Sequence, residues 1–115
     1  MRIVNRTVAV LRARQPYVEW ANRFRGEGPA LTVGDVAPAG STFLIPDFED
    51  EAETRAFVES HARAMFEHEL EMWNDDAAAW PKIRDAATFR QWFDVEVHDV
   101  VMDLGDDDLS GADVE

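Results

Sequence analysis

The chain has 115 residues and no cysteine, and 46% of it is hydrophobic, enough apolar material for one domain and little room for two. A chain of this size hides about two thirds of its unfolded surface, so a single core holds it without disulfide or metal staples. Twenty-four acidic residues against eleven basic ones give a net charge of −13, which repels phosphate backbones and anionic lipid and excludes nucleic acid and membrane surfaces as partners.

The missing cysteines remove zinc ribbons, iron–sulfur clusters and thiol catalysis and fit a reducing compartment. No window approaches the roughly 18 apolar residues of a bilayer span, so a cytoplasmic protein is expected. The charge is uneven along the chain. Arg2, Arg6, Arg12, Arg14, Arg23 and Arg25 face only Glu19 within the first 25 residues, so the remainder is far more acidic than the average.

In chain order, residues 7–13 are β-branched and apolar on both parities, which predicts a strand covered on both faces. Pro16 suits the first position of a helix, and Tyr17, Trp20, Ala21 and Phe24 form its apolar stripe before Gly26 stops it. Thr32-x-x-Asp35 resembles a capping box opening a single turn before Pro38 and Gly40 break the chain. Residues 42–45 read as a second strand closed by Pro46. Asp50-x-x-Glu53 opens the longest helix, running to about Trp73, with Val58, Ala62, Met65, Phe66, Met72 and Trp73 in one arc and Ser60, Arg63, Glu67 and Glu71 opposite.

Asp85 offers a cap for a last helix over residues 86–104. Phe89, Phe93, Val97, Val100 and Leu104 keep helical spacing, and Gly105 stands where a C-cap belongs. The alternative is a strand, because Val95-Glu96-Val97-His98 alternates. Residues 105–115 carry too little apolar area to offset the entropy of ordering and are expected as a flexible acidic tail on a single domain spanning 1–104.

Candidate chemistry is sparse. His61 and His68 stand seven positions apart on the long helix, about 10.5 Å along its axis, too far to share one metal ion. His68-Glu69-x-x-Met72 begins like a zincin helix but lacks the second imidazole. Asp106-Asp107-Asp108, and Asp47 with Glu49 to Glu51, offer oxygens without the spacing of a calcium loop. No metal or cofactor is expected, and the glycine-rich phosphate and dinucleotide loops and the nucleophile elbow are missing. One enzyme-like constellation remains: Glu69 and Glu96 facing a cleft between the two long helices, with His61 or His68 close by. His98 reads as an exposed ion pair with Asp94 one helical turn earlier. Three of the four tryptophans lie on helix faces, and Trp80, before Pro81, reads as a lid folded onto the core.

At Gln15-Pro16-Tyr17-x-x-Trp20 and Trp80-Pro81-x-x-Arg84-x-x-x-x-Phe89-x-x-Trp92-Phe93 the chain resembles a group of small uncharacterised bacterial proteins of about this length. The resemblance implies a bacterial intracellular setting and supplies no catalytic residue.

The expectation is therefore an α+β domain, a sheet of two or three strands covered by a short helix and a hairpin of two long helices. Its expected role is a small acidic interaction module whose Glu49, Asp50, Glu51, Glu53, Glu59, Glu67, Glu71, Asp99 and Asp103 meet a basic partner protein. A hydrolase or isomerase using Glu69, Glu96, His61 and His68, and a self-associating structural module, are the alternatives, with a monomer or weak homodimer expected.

Overall fold

Residues 6–13 alternate between buried and open positions, as a strand with one covered face does. In the computed structural model, which describes residues 1–36 and 40–114, this segment is β2 (Arg6–Ala13), the centre of a three-stranded antiparallel sheet. A two-residue strand β1 (Arg2–Ile3) precedes it, and helices α1 (Gln15–Asn22) and α2 (Val33–Val36) follow. Strand β3 (Thr42–Pro46) leads to helices α3 (Glu51–Ser60) and α4 (Ala62–Trp73), a 3-10 turn at Ala77–Ala79, and helix α5 (Ala86–Trp92). The chain then runs directly into β4 (Phe93–His98) and ends its regular structure with β5 (Met102–Asp103). The fold is α+β. The break expected at Pro38 and the last residue, Glu115, lie outside the described residues.

The sheet order is β3-β2-β4, with Ala9 opposite both Phe43 and Val97 and Leu11 opposite Val95. Thr7, Ala9, Leu11 and Ala13 of β2, with Ile45 and Phe93, are buried on one face. The helices cover only that face. Val8 and Val10 on the other parity are half-buried and Leu44 is 54% exposed, which corrects the expectation of a strand covered on both sides.

The core is aromatic. Phe66 on α4 is fully buried and its ring centroid lies 6.1 Å from Phe89, 5.2 Å from Trp92 and 5.7 Å from Phe93. Each large side chain hidden this way contributes about 1.5–3 kcal/mol. Three indole N–H groups donate to carbonyls across the fold: Trp20 to Ala79 at 2.9 Å, Trp73 to Ala21 at 3.1 Å and Trp80 to Asn74 at 2.7 Å. Trp80 packs against the core edge, as a lid does.

Local capping follows the sequence closely. Asp50 accepts from the Ala52 N–H at 2.9 Å and Asp85 from the Thr88 N–H at 2.8 Å. Thr32 and Asp35 exchange bonds reciprocally, Thr32 N–H to Asp35 at 2.8 Å and Asp35 N–H to the Thr32 hydroxyl at 3.4 Å.

Two helical expectations are corrected. The long helix breaks at His61 (φ −107°, ψ 6°) into α3 and α4. There the Ser60 hydroxyl donates to the Phe57 carbonyl at 2.8 Å and competes for the helix's own acceptor. The break turns the arc, so Leu70 and Glu69 are buried while Met72 is 60% exposed.

The second correction is larger. The last helix stops at Trp92, and residues 93–98 are strand. Without β4 the central strand would leave one full edge of N–H and C=O groups unpaired. Period 2 places Phe93 and Val95 against Ala13 and Leu11, whereas the helical stripe needed Val97, Val100 and Leu104, which are 43, 66 and 77% exposed. Gly105 caps no helix; its N–H donates to the Asp103 carboxylate at 2.8 Å.

Beyond the sheet the first and last strands continue as a narrow ribbon, with Ile3 opposite Met102 and Arg2 opposite Asp103. Five steps separate Ile3 from Val8 but only four separate His98 from Met102, so the first strand holds one extra residue, the count of a β-bulge. The molecule measures 46 × 30 × 27 Å with a radius of gyration of 15.7 Å, against about 13 Å for a sphere-like chain of this length. Ile3, Val100, Met102 and Leu104 on it are exposed. Residues 105–114 form no helix or strand and are exposed.

Candidate functional site

The charge asymmetry along the sequence folds into pairs across the strands. Arg2 bonds Asp103 at 3.2 Å, Arg12 bonds Glu96 at 3.1 Å and Arg14 lies 3.9 Å from Asp94. The arginine-rich start thus lies opposite the acidic end, which favours this register.

The four residues of the enzyme-like constellation are not brought together. Glu69 is buried on the helical side, where its carboxylate accepts from the Ser41 N–H at 3.0 Å. Its own carbonyl accepts from the Tyr17 hydroxyl at 3.0 Å. Burial, and then the Glu69 carboxylate, push the Tyr17 hydroxyl well above its ordinary range. Glu96 stands on the open face of the sheet between Arg12 and His98, and the hydrogen bonds from His98 and then Arg12 hold its carboxyl below the usual range. His98 pairs with Glu96 at 3.2 Å in place of the expected Asp94 partner, because a strand aligns i and i+2. His61 is exposed at the helix break and stacks on Phe57 at 4.2 Å, and His68 meets the edge of Phe43 at 5.9 Å. Among the described residues, no three His, Asp or Glu side chains converge on a point that a metal ion could occupy, and no helix is long and apolar enough to cross a membrane.

The acidic residues divide more usefully. Glu67 is engaged internally, since one of its oxygens accepts from Arg63 at 2.9 Å and from Arg84 at 3.0 Å. Desolvation opposes its ionisation, yet the bonds from Arg84 and Arg63 together hold its carboxyl below the ordinary range. Asp103 is engaged by Gly105 and Arg2, which lower its carboxyl in the same way. Asp50 caps α3, and Glu53 and Glu71 are exposed on α3 and α4.

Glu49, Glu51, Glu59 and Asp99 meet at one place. They rim a cleft of about 920 Å³ between β4 and α3, which Ala86, Phe89 and Arg90 of α5 also line. Val58, Phe89, Val95 and Val97 supply its apolar lining, and Asp94 joins the acidic rim. Three arginines share it: Arg14 with Asp94, Arg55 3.6 Å from Glu51, and Arg90 2.7 Å from Glu59. Among the described residues neither Glu49 nor Asp99 makes an ion pair, so the rim keeps an excess of negative charge.

Asp94 and the three arginines escape a helical reading of residues 93–98. The usable signal was the alternation itself, which separates Phe93, Val95 and Val97 from Asp94, Glu96 and His98. Comparison of the chain with protein-family models, curated proteins and solved structures finds no match.

Proposed function

We propose that the protein is a small interaction module that binds a basic partner protein through the cleft between β4 and α3, with the cytoplasm as its expected setting. The observation that carries this reading is the convergence of Glu49, Glu51, Glu59, Asp94 and Asp99 around an apolar floor. Apolar floors supply affinity, and rim charge selects the partner and speeds encounter. The net charge of −13 extends the same attraction over the whole molecule.

The test is salt-dependent capture from its own cell, comparing the unaltered chain with a Glu49→Lys, Asp99→Lys double variant. Basic partners that are released as salt rises and are lost by the double variant support the reading. Capture of neutral or acidic partners that ignores salt overturns it.

A second reading, self-association, is favoured by the exposed Ile3, Val100, Met102 and Leu104 on the ribbon. Sedimentation at several concentrations separates the two, because self-association makes the mean mass rise with concentration and a basic-partner module leaves it constant.

A further inference from the structure

β4 is an edge strand: in the order β3-β2-β4 it pairs only with β2, and no strand among the described residues covers its other side. The phase of its free groups follows from one bond. The Arg14 N–H donates to the Trp92 carbonyl at 2.8 Å, and in an antiparallel pair the mutually bonded positions recur every second residue. Asp94, Glu96 and His98, opposite Arg12, Val10 and Val8, therefore direct their N–H and C=O groups at β2. Val95 and Val97 turn theirs outward. The Phe93 N–H is already occupied by the Phe89 carbonyl at the end of α5, so the open ladder begins at the Phe93 carbonyl.

That ladder borders the cleft, and Val95 and Val97 also line it. Natural edges are blunted by charged side chains, proline, bulges or a covering segment, and the carboxylates on β4, Asp94 and Glu96, deter an acidic strand but not a basic one. β3, the other edge, ends on Pro46. β4 has neither proline nor lysine, and its pairing with β2 is regular over all six residues.

We propose that the basic partner enters as an extended segment that adds a strand to β4, its apolar residues dropping into the cleft and its alternate Lys or Arg residues lying beside Asp94 and Glu96. The inference rests on the basic-partner reading and gives it a mode. Backbone bonds to Val95 and Val97 supply sequence-tolerant affinity, and the alternating pockets supply selection. Charge argues against a second copy of this chain as the added strand. Two β4 strands side by side would set the Asp94 and Glu96 carboxylates against their own kind, on molecules each carrying −13, and like charges directly opposite destabilise a pair.

The probes are the synthetic peptide Lys-Val-Arg-Ile-Lys-Val-Arg-Thr and the same peptide N-methylated at alternate residues, equal in charge but unable to donate along one edge. Strand addition makes the unmethylated peptide bind at least about tenfold tighter and slows amide exchange at Val95 and Val97 by about tenfold or more at saturation. V97P removes an N–H the fold does not use and should weaken the peptide by about tenfold. If V97P does not fold, the methylated peptide on the unaltered chain decides.

Equal binding of both peptides, with exchange at Val95 and Val97 unchanged, overturns strand addition. The basic-partner reading then survives if binding still falls with salt and with the Glu49→Lys, Asp99→Lys variant. Binding of neither peptide overturns strand addition, and the capture experiment then decides the basic-partner reading separately.

Discussion

Replacing Arg84 and Glu67 by alanine, singly and together, and doing the same for Arg63 and Glu67, asks what decides the strength of an ion pair when distance does not. Both arginines donate to the same Glu67 oxygen, Arg63 at 2.9 Å and Arg84 at 3.0 Å. Their surroundings differ: the Arg63 side chain is 69% exposed and that of Arg84 only 18%. Arg84 is further held by the Pro81 carbonyl at 2.7 Å and lies over the Trp80 ring at 5.7 Å, so little side-chain freedom remains to be lost in pairing. An exposed i,i+4 pair is worth about 0.3–0.5 kcal/mol. A charge-assisted bond is worth about 1.5–3 kcal/mol, and with Glu67 a third exposed the lower end applies, about 1.5 kcal/mol of coupling. In urea that corresponds to roughly 1 M in midpoint for a domain of this size. The folded carboxyl of Glu67 is depressed, so its contribution is complete above the ordinary value of 4.5 and disappears as the pH falls through the lower folded value. Coupling measured by urea unfolding at neutral pH should therefore be several times larger for Arg84 than for Arg63, and both should vanish in acid. Equal couplings, or an Arg84 coupling that survives protonation of Glu67, would refute the reasoning.

Three further outcomes follow from the packing and caps. Phe66→Ala removes the fully buried ring at the centre of the aromatic cluster and should cost about 3–5 kcal/mol, read in calorimetry as a loss of roughly 12–20 °C in Tm; a loss of only a few degrees would mean the cluster is not the core. Asp85→Ala removes the cap of the seven-residue α5 and should lower the midpoint of chemical denaturation, more than the same change at exposed Asp75, which caps nothing. Asp85, lowered by the Thr88 N–H, and Asp103, lowered by the Gly105 N–H and then Arg2, stabilise the fold above their ordinary value of 3.8 and lose that contribution as the pH drops through their lower folded values. Carboxyl titration by NMR should find both below 3.8, and stability should fall in acid without a matching fall on the alkaline side from these groups.

Features governed by a few neighbouring atoms were readable in the chain. Pro16 at the start of α1, the Asp50 and Asp85 caps, the Thr32–Asp35 box and the strands β2 and β3 follow from local chemistry. The segment after Trp92 was not, since Phe89, Phe93 and Val97 satisfy both a 3.6-residue and a two-residue spacing in different subsets. What decides is remote: the bare edge of β2, 80 residues earlier, needs a partner. The break at His61 escaped because no proline or glycine marks it; its only local sign is the Ser60 hydroxyl bonded to the Phe57 carbonyl. For the candidate site, residue choice outran geometry. Glu49, Glu51, Glu59 and Asp99 were identifiable as acidic surface, but their meeting depends on β4 being extended. Glu67 and Asp103 look equally free in the sequence, and only the fold reveals the arginines that occupy them.

The ribbon at the far end of the sheet carries an oily strip, Ile3, Met102 and Leu104, followed in the chain after Gly105 by Asp106, Asp107 and Asp108. Greasy ribbons with open outer edges are natural seeds for coalescence, and flanking charges act as gatekeepers against it. Arg2, beside Ile3 on the ribbon, lies 3.7 Å from Asp108, so the last of the three aspartates stays within reach of the strip. Near the isoelectric point of about 4.4 mutual repulsion between molecules fades while the strip is unchanged, so this protein should clump in mild acid before it unfolds.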